Sequence, residues 1–521
     1  MCRMLLVFAM LSAFAAAWAS EAKVDEAIPM TGDSFRPVFV RMEDQLFRKA
    51  GDHEDFCKKH ADRPRSQNRK EVTALLQKKA DGSWKQVEEL VAQLEKEGGI
   101  RGLRRFWIVN GFVCAAKPSA IKKLAEHEAV SFVYLNRFAR PATRPRPMSD
   151  DQRIAMKGLF ELWQKKPADP NWRDAKIPWN LKEIKAPEAW RKEKAFGQGV
   201  TVAVIDSGIL PTPSLAHALW KNPQETFNRK DDDGNGLVDD VFGYDFSSDS
   251  GFVQETNQMM SHGSACSGII AGRPSAKSKW LTGVAPKAEL MLLKGSFDLR
   301  ALEYLLLNDA DLVSMSFMIV GRELGHLRGL YRNAFEHLSA AGVLSMGGAG
   351  NYAAGPRALG KGKQIGLPKD IPCVVAVAGT AKDRATVSFS SKGPCYWEDV
   401  AFFSDYPRKK PLSKPDLTAF PTGYPMWTYP PSRQTKARGW QEISAEEGAS
   451  LVVGPGGNSF SGPHGVGVAA LVLSANPEMN PWEVKVLLES TAVDLGPKGY
   501  DTQYGAGLLD ALVAVRQAKK N

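Results

Sequence analysis

Long apolar runs are almost missing from this chain of 521 residues. The one such run covers residues 4–17 at the extreme N-terminus, and a membrane-spanning helix needs about 20 apolar residues. A polytopic membrane protein is therefore excluded. Compositional bias is missing too: hydrophobic residues make up 43% and charged residues 24%, ordinary values for a globular protein. A disordered chain and a collagen are excluded on that ground. The charge balance has little of one sign to spare, with Lys+Arg 68 against Asp+Glu 58, and the excess is uneven. Residues 21–176 hold roughly 31 basic against 23 acidic groups, whereas 177–521 are near neutral. Nucleic acid is not an expected partner of the larger part.

Arg3, the greasy stretch after it and the small-residue pattern Ala17-Trp18-Ala19 read as a secretory signal peptide over 1–19. That predicts a secreted or periplasmic protein with no stable membrane insertion once the signal is removed, in a compartment that permits disulfides. Cysteine is scarce. Loss of Cys2 leaves Cys57, Cys114, Cys266, Cys373 and Cys395, an odd set in which at least one thiol has no partner within the chain.

Residues 20–70 are polar, without a clear period, and receive no element. Beyond them, 72–76 suggests a strand, and Trp84, Val87, Leu90, Val91 and Leu94 recur at helical spacing. Residues 106–109 read as a strand, Asn110-Gly111 as a hairpin turn and 112–115 as the returning strand. A helix over 121–127 and a strand over 130–135 complete a β-α-β-β-α-β order, the split ferredoxin-like unit, over 71–140. Residues 141–177, with Pro141, Arg144, Pro145, Arg146 and Pro147, have linker composition and an expected processing site. After Pro178 short apolar runs at 201–205, 290–293, 312–315, 343–345 and 374–378 alternate with helical stretches. That pattern predicts an α/β fold, a doubly wound, mostly parallel sheet, over 178–515. Ligands then sit beyond the carboxyl ends of the strands.

Those ends carry the polar residues. The first strand runs into Asp206-Ser207-Gly208; His262 opens a helix of small residues; Gly348-Ala349-Gly350-Asn351 follows a strand; and Gly457-Asn458-Ser459 precedes an apolar helix. A serine hydroxyl needs an imidazole to take its proton, the imidazole needs a carboxylate, and the tetrahedral oxyanion needs preorganised donors. Asp206, His262, Ser459 and Asn351 supply these roles in the chain order Asp…His…Ser.

On these motifs, with Ala186-Pro187-Glu188-Ala189-Trp190, Gly283-Val284-Ala285-Pro286 and Tyr504-Gly505-Ala506-Gly507 beside them, the chain resembles the subtilisin-like serine peptidases, the subtilases. The resemblance implies a serine endopeptidase acting through an acyl-enzyme on protein or peptide substrates, with no cofactor for the chemistry. It also implies that 71–140 is a propeptide that inhibits and helps fold the catalytic domain, so that the protein is made as a zymogen. Ser314, Ser316, Phe317, Met318, Gly348 and Ala349 are implied to bind the substrate. Asn458, Phe460-Ser461 and Met318 depart from the family's usual Thr, small residue and Gly. They motivate the alternative of an inactive scaffold on the same fold.

Asp231-Asp232-Asp233-Gly234-Asn235-Gly236 presents oxygens at alternate positions, with Asp239 further on. Asp231, Asp233, Asn235 and Asp239 are the expected ligands of a structural calcium ion, although Phe242 stands where an EF-type loop has its bidentate Glu. Cys266 lies one helical turn after His262, similar to the cysteine of thiol-dependent subtilases. It is assigned as the odd thiol, with Cys373–Cys395 and Cys57–Cys114 as the expected disulfides. Tyr424, Trp427, Tyr429 and Trp440 mark an aromatic stretch that is either a rim of the groove or a plain surface excursion.

Overall fold

The computed structural model describes residues 23–138, 146–167, 172, 174–256 and 261–520. The expected signal peptide, and residues 141–145, 168–171 and 173 of the linker 141–177 in which processing is expected, lie outside the described residues.

The N-terminal part is built from β1 (Arg36–Met42), α1 (Asp52–Lys59), α2 (Arg65–Lys96), β2 (Ile100–Phe106), β3 (Gly111–Ala116), α3 (Pro118–Glu126) and β4 (Val130–Leu135). Its sheet is antiparallel in the order β2-β3-β1-β4. In β1, Val38 and Val40 face a core shared with Val87, Val91, Ile121 and Leu124 of the helices. Phe39, of opposite parity, joins the second core on the other face, as the two-residue period of a strand requires.

Three expectations need correction here. The stretch 72–76 is helical, not a strand: Val72, Leu76, Ala80, Ser83, Val87, Val91 and Leu94 are buried along one face of the single helix α2, a spacing of three and four that overrides the local β-branched residues. The first strand is instead β1, within the stretch that received no element. Its Arg41 hid the alternation, yet that side chain is buried, bonded to Ser131 Oγ at 2.8 Å and stacked 4.1 Å from the Phe402 ring. Finally, β2 ends at Phe106, and residues 107–110 form the turn, with Asn110 at φ 38°.

The expected linker holds a helix, α4 (Asp150–Gln164). Ser149 and Gln152 form a reciprocal capping box, and Met156 and Leu159 are fully buried in the core of the larger part. That part contains β5 (Thr201–Ile205), β6 (Gly243–Asp245), α5 (His262–Ala271), β7 (Glu289–Lys294), α6 (Leu299–Leu307), β8 (Leu312–Met315), α7 (Leu327–Ala340), β9 (Leu344–Gly348), β10 (Val375–Gly379), β11 (Leu417–Ala419), β12 (Met426–Thr428), β13 (Gln441–Glu446), β14 (Ala449–Val453) and α8 (Ser461–Ala475). Seven strands form a parallel sheet in the order β11-β10-β9-β8-β5-β7-β6. Apolar cores lie on both faces, which makes it an α/β fold. Strands β12, β14 and β13 make a separate antiparallel sheet.

The N-terminal sheet lies against α6 and α7. Glu303 Oε1 accepts the N–H groups of Trp107 at 2.6 Å and Ile108 at 3.0 Å, and His337 donates from Nδ1 to the Ile108 carbonyl at 2.5 Å. At the far end of α2, Arg69 donates to the carbonyls of Ala341 and Ala310 at 2.9 and 2.7 Å, and Arg65 pairs with Asp311.

The expected disulfides are not formed. Cys57, Cys114, Cys266, Cys373 and Cys395 are all free thiols. Cys114 is buried in the core of the N-terminal sheet while Cys57 sits on α1 beside His53, so the two belong to different packing environments. No helix among the described residues is long and apolar enough to cross a membrane.

Candidate active site

Asp206 follows β5 directly, its N–H bonded to Leu293 O at 2.9 Å. His262 is the first residue of α5, and its Nδ1 stands 2.8 and 3.0 Å from the two carboxylate oxygens of Asp206. Two glycines allow this approach: a Cβ on Gly263 would collide with the Gly208 carbonyl, and one on Gly208 (φ 110°) would lie 2.6 Å from Val253 O. The pair is electrostatically matched. Burial pushes the Asp206 carboxyl up, but the His262 charge and hydrogen bond, with the Ser207 N–H, bring it net below its ordinary value. Burial depresses the His262 imidazolium, and the Asp206 charge, aided by Cys266, outweighs it and raises it well above the ordinary value.

Ser459 sits in a short 3₁₀ turn, Asn458–Phe460, that leads into α8. The turn is held from several sides. Ser316 Oγ donates to Ser459 O at 2.8 Å, Asn458 N–H to Asn351 Oδ1 at 2.7 Å, and Asn458 Nδ2 to Gly350 O and Ser390 Oγ at 2.8 and 2.9 Å. Asn351 thus spends its oxygen on the backbone N–H just before Ser459 and keeps its Nδ2 for another acceptor. Cys266 Sγ is 3.9 Å from His262 Nδ1 and 3.6 Å from Ser459 O, and the His262 ring is 5.5 Å from that of Phe460. Ser459 Oγ stands 3.4 Å from Ser316 O, longer than an ordinary hydroxyl hydrogen bond of about 2.5–3.0 Å. It makes no hydrogen bond to His262 among the described residues.

The expected substrate residues divide. Ser316, Phe317 and Met318 are partly exposed beyond β8, whereas Ser314, Gly348 and Ala349 are buried within the sheet and its loop. Tyr424 and Trp427 are also buried: Trp427 packs on Gly268 of α5, and Tyr424 donates to the carbonyls of Phe420 and Phe460. They brace the histidine helix and the nucleophile turn from behind and do not rim a groove.

A second polar constellation lies in the loop between β5 and β6. Oxygens of Glu225, Asp231 and Asp233 all come within 4.8 Å of one another. Glu225 is buried; its Oε1 accepts the N–H groups of Asp232 and Asp233, and its Oε2 has no partner. Asp240 is buried as well: its Oδ2 accepts from Tyr304, Asn235 and Asn222, and its Oδ1 is unpartnered. Asn235 bonds Asp233 through Nδ2 at 3.0 Å. Asp239 (φ 56°) lies outside that group: its Oδ1 caps the N–H groups of Asn228 and Arg229 at 2.8 and 2.9 Å, and its Oδ2 is buried without a partner. Of the four expected ligands, then, Asp231 and Asp233 enter the cluster and Asp239 does not. Glu225 escaped sequence reading because it lies six residues ahead of the aspartate run, in an Asn222-Pro223-Gln224-Glu225 turn.

Comparison with known proteins agrees with this geometry. The model of a family described as the subtilase family matches residues 197–507. The chain is 26% identical over 341 residues to the minor extracellular protease Epr of Bacillus subtilis (strain 168), a match covering 64% of this chain and 40% of that protein. It is 25% identical over 472 residues to bacillopeptidase F of the same organism, covering 86% and 29%. To subtilisin E, also from that organism, it is 25% identical over 352 residues, covering 65% and 71%. The chain thus spans well under half the length of the first two relatives.

Proposed function

We propose that this chain, which belongs to the subtilase family, is a serine endopeptidase exported to the periplasm or beyond and made as a self-inhibited proenzyme. The observation that carries the chemistry is the Asp206–His262 pair at 2.8 Å, beside a Ser459 turn pinned by Asn351 and Ser316. Ser459 Oγ attacks the peptide carbonyl once it rotates from the Ser316 carbonyl to the imidazole, a change between staggered rotamers. His262 takes the proton and returns it to the leaving amine, while Asp206 holds the tautomer that makes this possible. The oxyanion is met by Asn351 Nδ2 and the Ser459 N–H. Water then releases the acyl group through the same histidine.

The N-terminal sheet serves as the inhibitor and folding partner. Its support is the docking on α6 and α7 through Glu303 and His337, and Phe138, which stacks 5.1 Å from Phe297, itself 5.0 Å from Phe317 beside the site. A calcium ion stabilises the loop after β5. The buried, unpartnered oxygens of Glu225 and Asp240 and the hard oxygen character of the set fit such an ion. Glu225, Asp231 and Asp233 hold it, with Asp240 against them.

The test combines labelling and processing of the full-length exported protein. A fluorophosphonate probe labels wild-type protein and not Ser459→Ala, and intact mass gives two fragments in the wild type against one chain in the variant. Absence of labelling once the N-terminal part has been removed favours the inactive scaffold instead.

A further inference from the structure

The slot beside Ser459 is enclosed by three stretches of backbone. Ile319 N–H donates to Leu367 O at 2.9 Å, which draws 364–367 alongside 316–319. Gly350 leaves bare backbone toward the space between, and the missing side chain of Gly366 lets it approach the Ile319 carbonyl. A Cβ on Gly350 (φ 107°) would run into Met318 Cε, with Ser391 Oγ at 2.8 Å and Tyr352 Cδ2 at 3.1 Å as its other neighbours. Gly366 N–H donates to Met318 Sδ at 3.0 Å. The thioether chain therefore crosses the slot, with its sulfur on the Gly366 N–H and its methyl in the room that Gly350 leaves. Lys369, fully buried, donates from Nζ to Phe317 O at 2.6 Å and so fixes the peptide from which Met318 departs.

One residue of a substrate faces this slot. The sheet order β9-β8-β5 sets Asn351 on one side and the Asp206–His262 pair on the other, with Ser316 and Ser459 between them. A carbonyl seated on Ser459 with its oxygen toward Asn351 must turn its leaving amine toward His262, which protonates it. The side chain of the residue that owns the carbonyl is left with the third direction, between 316–318 and 350–351.

We propose that Met318 sets the specificity of the hydrolysis by occupying the pocket for the residue immediately before the cut, and so restricts that residue to glycine, alanine or serine. The proposal rests on the endopeptidase reading above. A single methylene in or out of an apolar pocket is worth roughly 10–200-fold in kcat/KM, so a filled slot rejects leucine and phenylalanine strongly.

The test profiles cuts in a proteome-derived peptide library by mass spectrometry, alongside fluorophosphonate labelling of Ser459. The processed wild type cuts after Gly, Ala and Ser at least tenfold more often than after Leu or Phe. In Met318→Gly the Phe-to-Ala ratio rises at least tenfold; Met318→Ala gives a smaller rise, and Met318→Leu keeps the wild-type order. Labelled wild type that cuts after Phe or Leu as readily as after Ala overturns this inference alone, as does a ratio within threefold in both small variants. No labelling and no cuts overturn the endopeptidase reading and this inference with it.

Discussion

Two corners of the same sheet bury carboxylates, and they treat them oppositely. At the end of β5, Asp206 has His262 on both oxygens and the Ser207 N–H on one, and its carboxyl is held below the ordinary value. In the loop that follows, burial pushes Glu225 up to about 7, with the charge of Asp240 adding to the rise. Asp240 itself is pushed up to about 6, again chiefly by burial and against hydrogen bonds from Tyr304, Asn235 and Asn222. Burial alone disfavours the charge in both places. What separates them is a cation bonded to the carboxylate: His262 bonds Asp206, whereas the Lys221 ammonium beside Glu225 is spent on the backbone carbonyls of Asn222 and Glu225. The first corner has the charge pairing that the proposed proton transfer needs; the proposed calcium ion would give the second its countercharge.

Removing the matched charge gives the largest effect. Asp206→Asn retains the shape but lets His262 adopt the wrong tautomer, and kcat falls by about 10⁴-fold. The acidic limb of the pH–rate profile also moves to lower pH, because the charge that raises the imidazolium is gone. Steady-state kinetics on a peptide substrate from pH 5 to 9 reads both. A loss under tenfold, with an unmoved limb, would remove Asp206 from the mechanism.

Supplying or withdrawing the outside cation gives a middle effect, and its sign with pH is fixed. A carboxyl raised in the folded state favours folding while protonated and costs stability as pH climbs past the unfolded value through the folded one. Without calcium, Glu225 and Asp240 therefore weaken the fold between about pH 4 and pH 7. A calcium ion held there would bind the ionised forms and reverse that loss. At calcium near 100 times its Kd the gain is about 2.7 kcal/mol, so a chelator lowers Tm by roughly 3–4 °C in a chain of this size. The drop is larger at pH 8 than at pH 5, and Glu225→Gln abolishes most of it. A Tm at pH 8 that ignores both chelator and added calcium rules out the ion.

How much of this was legible in the sequence follows the same division. The parallel strands carry near-continuous apolar runs, so β5 and β8 could be bounded to the residue; Asp206 and Asn351 follow β5 and β9, while His262 opens α5 and Ser459 lies in the turn before α8. The N-terminal part was harder. Its first strand carries a buried arginine, which bonds Ser131 from distant chain and the carbonyls of Phe47 and Arg48 from the loop that follows the strand. Helix α2 begins with polar residues whose partners, Asp311, Asn480 and Ala341, lie more than 200 positions away. Local patterning cannot announce a face that becomes buried only on docking. The disulfides failed for a related reason: counting cysteines says nothing of which core each one enters.

The smallest effect tests where the boundary of the second corner runs. Asp239 stands next to Asp240 in sequence, and an alternation of oxygens along the loop makes it a ligand. Its Oδ1 instead accepts the N–H groups of Asn228 and Arg229, a bond that an amide oxygen can replace. Asp239→Asn should therefore cost no more than about 1 kcal/mol, the worth of weakening such a bond, and should leave the calcium-dependent shift in Tm intact. Asp233→Asn should shrink that shift, because Asp233 shares the cluster with Glu225 and Asp231. Thermal melts of the two variants with and without calcium separate the cases. If Asp239→Asn loses the calcium response while Asp233→Asn keeps it, the loop binds through its sequence alternation, and the unpartnered oxygens of Glu225 and Asp240 need another explanation.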